Sequence, residues 1–187
     1  IALAFARASR IHVMRAFAIG YIETLRAVPL ISVLFMASVM LPLLMPQTSA
    51  SDKMLRALGA LILFVAAYMA EAIRGGLAAI AAGQREAAAS LGFGRHAYAW
   101  LIALPQAMRA AIPALTGIAI GTFKDTSLVL VIGLLDLMTT TRAALSDPQW
   151  LGHPLEAYGF AMVLYGGIAW GTSQSARHLE TTPTHHM

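Results

Sequence analysis

Long apolar stretches constrain this chain more than any other feature of its sequence. A helix needs roughly 20 apolar residues to cross a bilayer. Four stretches are close to that length or exceed it, at about Phe17–Met45, Ala57–Ala82, Arg109–Ile132 and Ala157–Thr172. Charged residues make up only 12% of the chain, about half the share found in soluble domains, which is too few to cover a water-facing surface. We therefore predict an all-α, polytopic transmembrane helix bundle.

The first residues form a shorter apolar run, Ile1–Ala6, followed by the basic residues Arg7, Arg10 and Arg15. We interpret the run as the end of a helix that begins outside this sequence. Together with the four longer stretches it predicts about five helices in the intact protein. We expect one transmembrane domain over residues 1–180, with its N-terminus incomplete, and a polar tail over residues 181–187.

The distribution of basic residues predicts the orientation. Lysines and arginines concentrate in loops on the cytoplasmic side of a membrane. Seven of them fall in connectors on one side of the predicted spans and three on the other: Arg7, Arg10, Arg15, Arg85, Arg95, Arg109 and Arg177 against Lys53, Arg56 and Arg142. We predict that the loop containing Glu86 and the C-terminus are cytoplasmic. The same bias explains the net charge of +4, so we predict no nucleic-acid partner.

One of these predicted cytoplasmic connectors contains regularly spaced anchor residues, which are Glu86, Ala87, Ala88, Gly92, Ile102, Leu104 and Pro105. Good helix formers from Glu86 to Leu91 are followed by Gly92, which can end a helix in the left-handed conformation. A short helix outside the bilayer can dock on a soluble partner, because alanine side chains allow close approach. Pro105 could begin or kink the next helix. A lone Glu-Ala-Ala would be read as an ordinary connector, but the full spacing favours a docking element.

This spacing resembles the EAA signature of ABC importer permeases, in which Glu-Ala-Ala is followed at fixed distances by Gly and by Ile-x-Leu-Pro. Flanking segments resemble the polar amino-acid branch of these permeases, and the finer similarity is to general L-amino-acid permeases. These segments are Tyr21–Leu34, Ala70–Gly76, Gly83–Gln84, Leu104–Ala107, Lys124–Leu128, Phe35–Pro42 and Gly133–Leu137. One departure is Ala27, where the branch usually has Gly. The resemblance covers nearly the whole chain up to Glu180.

The resemblance implies a type I ABC importer permease-like fold in a bacterial inner membrane. It implies that the anchor residues couple the chain to an ATP-binding subunit that binds the ATP, so this chain needs no cofactor of its own. The other implied partners are a second, related permease subunit and an extracytoplasmic amino-acid-binding protein. Consistently, the sequence contains no Walker A pattern.

Charged residues inside the predicted spans are candidates for the substrate pathway. An unpaired charge within a bilayer is costly and is a functional candidate by default. The candidates are Glu71, Arg74, Lys124 and Asp125, with the hydroxyls of Thr126 and Ser127 beside them. Glu71 and Arg74 share a helix face, and Glu71 would lie about 22 Å from Glu86 if the whole segment were helical, which places the pair deep in the membrane.

A zwitterionic amino acid needs groups of both signs, and these residues supply them. The structural alternatives are that Glu71 and Arg74 neutralise each other and fix packing, and that Lys124 snorkels at a boundary. For Glu23 and Arg26, which also share a face, we expect a structural pair at the membrane interface.

Two other classes of protein remain as alternatives. An intramembrane enzyme would need a nucleophile–base pair or metal ligands inside the spans. The sequence has no cysteine and neither an HExxH nor a GxSxG motif, and its six histidines lie outside the predicted spans. We therefore predict neither enzymatic activity nor a metal site. A membrane scaffold without transport activity is the second alternative, and the intramembrane charges argue against it.

Overall fold

The computed structural model describes residues 1–44 and 53–181, and in these ranges the chain forms helices and no strands. The helices are α1 (Ala2–Arg7), α2 (His12–Ala27), α3 (Leu30–Leu44), α4 (Lys53–Ala78), α5 (Ala82–Ser90), α6 (Arg95–Ile132), α7 (Leu137–Ala144) and α8 (Pro154–Thr181). The all-α prediction is confirmed. The polar residues from 46 to 52 and the predicted tail from 182 onward lie outside the described residues.

Two of the described helices, α4 and α6, are long and apolar enough to cross a membrane. The pair α2 and α3 passes the same test together and makes a third span if it is counted as one. The fourth predicted stretch, Ala157–Thr172, lies within α8, a helix of 28 residues that is long enough but less apolar. The number of crossings in the intact protein stays a prediction.

The first predicted span is broken at Pro29. Helices α2 and α3 meet at an angle of 104° instead of forming one straight segment. The proline ring clashes with a helical conformation of the residue before it. Val28 is accordingly extended, with φ −98° and ψ 137°, and α3 begins after Pro29.

Three helices extend further than their polar sequence predicts. The sequence predicts Lys53–Arg56 in a connector, but these residues form the first turn of α4. It also predicts a connector from Arg95 onward, but these residues begin α6, and α8 continues past Thr172 to Thr181. The reason is that polar residues end the bilayer-crossing part of a helix without breaking the helix itself, since its backbone hydrogen bonds are internal.

Prolines also alter helices from within. The π-helical turns Met36–Met40 and Tyr98–Ala103 each end two residues before a proline, Pro42 and Pro105. A proline ring clashes with the carbonyl four residues earlier, which is that of Ser38 or Leu101, and a wider turn relieves the clash. Pro105 lies in the first turn of the regular α-helical part of α6, Leu104–Asp125, directly after the widened turn.

Small residues dominate the buried face of α4, which packs against α6. At every third or fourth position this face has a buried residue, and these are Ala57, Ala60, Phe64, Ala67, Ala70, Ile73 and Gly76. Apolar side chains gain little from leaving lipid, so membrane helices associate mainly through close packing. The two helices approach closely at Gly76, where an added methyl group would overlap the carbonyl oxygen of Ala107.

The other ends of α4 and α6 are joined to α3 by larger side chains. One hydrophobic cluster contains Leu30, Leu34, Ala57, Ala60, Phe64 and Ile132. Gly133 then ends α6 in the left-handed conformation, with φ 72°. Asp136 caps α7 by accepting hydrogen bonds from the backbone N–H groups of Met138 and Thr139. Burial raises the pKa of Asp136, whereas these two bonds and a third from the Thr139 hydroxyl lower it. The hydrogen bonds together outweigh burial, so the pKa of Asp136 lies below its usual value.

Candidate functional site

The segment that begins the spaced motif is a short, exposed helix. In α5 only Ala88 is buried, while Glu86 and Ala87 are exposed. Two grooves of about 460 and 370 Å³ separate α5 from the base of α6, and both are lined by Arg85, Ala89 and Tyr98. Helix α5 is therefore held at one buried residue and presents most of its surface outward.

Gly92 ends this helix as the sequence predicts. Its φ is +80°, which L side chains rarely adopt. The N–H of Phe93 donates to the carbonyl of Ala88 and the N–H of Gly92 to that of Ala89, each over 3.0 Å. This pair of bonds is a Schellman motif, which satisfies the last carbonyls of a helix.

Two apolar residues beside Gly92 are exposed, and the sequence reasoning missed them. The exposed fraction is 77% for Leu91 and 40% for Phe93. The available signal was the presence of large apolar residues in a segment predicted to lie outside the bilayer. We define the coupling surface as Glu86, Ala87, Leu91, Gly92 and Phe93.

The second half of the motif lies in a helix and not in the loop where the sequence placed it. Ile102, Leu104 and Pro105 all belong to α6, and the first two are half-buried while Pro105 is exposed. Between them, Ala103 is buried. The motif therefore comprises a short helix, a glycine turn and the base of the longest described helix.

The charges near the α5 end of the bundle form one network. The Glu71 carboxylate accepts from Nε and Nη2 of Arg74, at 2.8 and 2.5 Å. Arg7, from α1, lies 2.8 Å from Glu23 and 3.4 Å from Glu71. The Glu71–Arg74 pair is confirmed, whereas the predicted Glu23–Arg26 pair is wrong. Glu23 pairs with Arg7, which is far away in sequence and could not be found from helical spacing.

The unbroken helix from Glu71 to Glu86, on which the predicted depth of the pair rested, is not observed. Helix α4 ends at Ala78, and a turn separates it from α5. The estimate of 22 Å assumed an unbroken helix and is therefore wrong. Glu71 lies seven residues before the end of α4, which is about 10 Å along the helix axis.

Asp125 lines two cavities on the far side of the bundle. One, of about 270 Å³, lies between α3, α4 and α6, and its wall includes Leu30, Phe64 and Tyr68. The other, of about 480 Å³, is lined by Thr126 and mostly apolar residues. Lys124 lines neither.

The two hydroxyls that follow Asp125 are already engaged as donors. Thr126 donates to the carbonyl of Phe123 over 2.6 Å, and Ser127 to that of Lys124 over 2.8 Å. A hydroxyl oxygen that has donated can still accept. The oxygens of Thr126 and Ser127 thus keep lone pairs that can accept a further hydrogen bond, and a role for these residues in substrate binding stays a prediction.

The structure does not bring the four predicted charges into one site. Gly76 in α4 faces Ala107 in the antiparallel helix α6. Measured from the level of this contact, Asp125 lies about 27 Å along α6. Glu71 lies about 8 Å along α4 in the same direction, so roughly 20 Å separates the two carboxylates along the bundle. Within this chain they form two groups, and a role for either in substrate binding stays a prediction.

Comparison with known families defines the class. Residues 1–175 match the family model described as binding-protein-dependent transport system inner membrane component. The chain therefore belongs to this family of inner membrane transport components. This membership favours transport over a scaffold and over an intramembrane enzyme.

Individual relatives narrow the class. The chain is 47% identical over 180 residues to the inner membrane amino-acid ABC transporter permease protein YhdY of Escherichia coli K12. The aligned residues make up 96% of this chain and 49% of that protein. It is 40% identical to the glutamate/glutamine/aspartate/asparagine transport system permease protein BztC of Rhodobacter capsulatus, over 96% of this chain and 42% of that protein. The chain thus spans about half the length of these two relatives.

A third relative and a solved structure are matched over more of their length. Identity is 38% to the glutamate/aspartate import permease protein GltK of Escherichia coli O157:H7, over 95% of this chain and 80% of that protein. The crystal structure of an amino acid ABC transporter with histidines superposes with a TM-score of 0.82 at 28% identity, over 95% of this chain and 80% of that one. The permease-like helix bundle is confirmed.

Proposed function

We propose that the chain is a transmembrane permease subunit of an ATP-driven importer of L-amino acids. The names of the relatives support amino acids as the substrate class. The observation that carries the coupling role is the exposed helix α5, ended by Gly92 at φ +80° directly before the base of α6. Reconstitution with its ATP-binding subunit, permease partner and binding protein tests this proposal. ATP-dependent uptake of L-amino acids is expected, and no uptake of any L-amino acid would overturn it.

The coupling surface docks on the ATP-binding subunit. Leu91 and Phe93 supply the apolar contact, since exposed apolar side chains at a solvent-facing turn are typical of binding surfaces. Ile102, Leu104 and Pro105 join this surface to α6, which runs without interruption to Ile132. A displacement of α5 is therefore carried along α6 to Asp125. ATP is bound by the partner subunit.

The remaining partners follow from the same role. A second, related permease chain completes the translocation pathway, and an extracytoplasmic amino-acid-binding protein delivers the substrate. In this proposal α5 and the C-terminus face the cytoplasm of a bacterial cell, and the end of the bundle near Gly133 faces outward.

Single cysteines test the orientation, because the chain has none of its own. Ser146→Cys, in the loop before α8, is expected to react with an impermeant thiol reagent in intact cells. Ser90→Cys, at the end of α5, is expected to react only after permeabilisation. Labelling of position 90 in intact cells would contradict both the orientation and the docking role. Ser49, also predicted to face outward, lies outside the described residues.

Neutralising Asp125 tests the substrate pathway. Asp125→Asn is expected to leave the complex assembled and to lower amino-acid uptake roughly tenfold, because a charge-assisted hydrogen bond to the substrate ammonium is lost. Asp147→Asn, in the loop between α7 and α8, is the matched control and should transport normally. Unchanged uptake by assembled Asp125→Asn complexes would remove this residue from the pathway.

Arg74→Gln tests whether the Glu71–Arg74 pair contacts the substrate or only holds the helices together. The proposal that Arg74 contacts the substrate predicts assembled complexes with impaired or altered uptake. A purely structural pair predicts loss of assembly, since Glu71 is only 19% exposed and would keep a single partner, Arg7. Measuring co-purification and uptake separately distinguishes the two.

A further inference from the structure

Arg26 is a cation whose role the ion-pair network does not explain. It is exposed in the last turn of α2, immediately before the break at Pro29. Glu23 and Glu71 hold Arg7 and Arg74, and in residues 1–44 and 53–181 neither carboxylate forms an ion pair with Arg26. The contact that Arg26 makes is with an aromatic ring, since its guanidinium carbon lies 5.7 Å from the ring centroid of Tyr68.

The position of Arg26 is set by neighbouring contacts. The hydroxyl of Tyr21, one turn and a half earlier in α2, donates to the carbonyl of Leu63 in α4 over 2.6 Å. This bond fixes α2 against α4 beside Tyr68. The ring then holds the guanidinium by a cation–π contact, which leaves the N–H groups at the guanidinium edge free to donate.

Tyr68 connects this cation to the cavity that contains Asp125. The ring is part of the wall of the 270 Å³ cavity, together with Leu30, Phe64 and Asp125. Arg26 and the wall residue Leu30 lie on either side of the break between α2 and α3. The cavity wall thus contains a carboxylate, Asp125, and an aromatic ring, Tyr68, that holds a cation, and a zwitterion requires both charges.

We propose that Arg26 binds the α-carboxylate of the transported amino acid at the edge of this cavity, with the substrate's ammonium directed toward Asp125. The planar guanidinium matches a carboxylate through two parallel hydrogen bonds, which a lysine cannot reproduce. This inference rests on the proposed function and adds the residue that recognises the acid end of the substrate.

The structural alternative is that Arg26 only complements the C-terminal dipole of α2 or the nearby Glu71. It predicts that removing the guanidinium affects every ligand equally. Recognition of the carboxylate predicts that the effect depends on whether the ligand has one. Comparing an amino acid with its α-amide, which keeps the ammonium and side chain, separates the two.

The probes are L-glutamine, L-glutamate, L-asparagine and L-aspartate, each with its α-amide. Binding is measured on the purified complex of permease and ATP-binding subunits, without the external binding protein, because that protein selects substrates itself. Arg26→Gln is expected to weaken the best-bound amino acid about tenfold to a hundredfold, the range for a charge-assisted hydrogen bond. The corresponding α-amide is expected to bind only weakly to the wild type, and Arg26→Gln should change its affinity by less than about twofold.

Three further variants complete the test. Arg10→Gln, in the connector before α2, is the matched control and should bind both ligands normally. Tyr68→Phe keeps the ring and is expected to behave like the wild type, whereas Tyr68→Ala should weaken the acid selectively, as Arg26→Gln does. Equal weakening of acid and amide by Arg26→Gln, or no weakening of either, overturns the inference. Absence of ATP-dependent uptake by the wild-type importer would instead overturn the proposed function.

Discussion

Replacing Gly76 by leucine is expected to prevent α4 and α6 from packing and to remove most folded protein from the membrane. Any Cβ at this position overlaps the backbone of Ala107, and a backbone cannot rotate away as a side chain can. The helices would have to separate, and the contacts made by the buried Ala67 and Ala70 would be lost with them. We expect stability to fall by about 3 kcal/mol or more, the upper range for overpacking.

Gly75 offers a matched control for this change. It precedes Gly76 in the same helix but is exposed, and a Cβ there meets nothing within 4 Å. Gly75→Leu should therefore accumulate and unfold like the wild type. Membrane yield and thermal unfolding of the purified protein measure both variants. Equal behaviour of Gly76→Leu and Gly75→Leu would show that α4 and α6 do not approach as closely as described.

Replacing Gly92 by valine is expected to reduce transport strongly while leaving the subunit inserted. A β-branched residue at φ +80° is strained by about 1–3 kcal/mol, and the end of α5 can escape the strain by uncoiling. Leu91 and Phe93 would then leave their positions in the coupling surface. We expect uptake to fall more than tenfold and co-purification with the ATP-binding subunit to weaken; a tenfold change corresponds to about 1.4 kcal/mol.

Gly94 provides the control for Gly92. Its φ is −68° and ψ 161°, which valine adopts readily, and a Cβ at either glycine meets nothing within 4 Å. Gly94→Val should therefore support normal uptake. Normal uptake by Gly92→Val would show that the left-handed turn is not needed for coupling.

Local features of this protein were predictable from the sequence. The helical membrane fold follows from the length of apolar stretches, and the end of α5 follows from helix formers that stop at Gly92. The Glu71–Arg74 pair follows from a spacing of three residues, which places both side chains on one helix face. Each of these depends on residues within about one turn of each other or on the composition of a single segment.

Contacts between helices were not predictable in this way. The Arg7–Glu71 ion pair, the cation–π contact of Arg26 with Tyr68 and the distance between Glu71 and Asp125 all depend on how α1, α2, α4 and α6 are placed against one another. Pro29 marked a break in the sequence, but it could not define the angle of 104°. That angle depends on packing of α3 against α4 and α6 through Leu30, Leu34 and Ile132. Sequence alone determined that these segments are helical and where the coupling helix ends, because hydrogen bonding and chain geometry act locally. Only tertiary packing decided which charges lie together, because it joins residues distant along the chain.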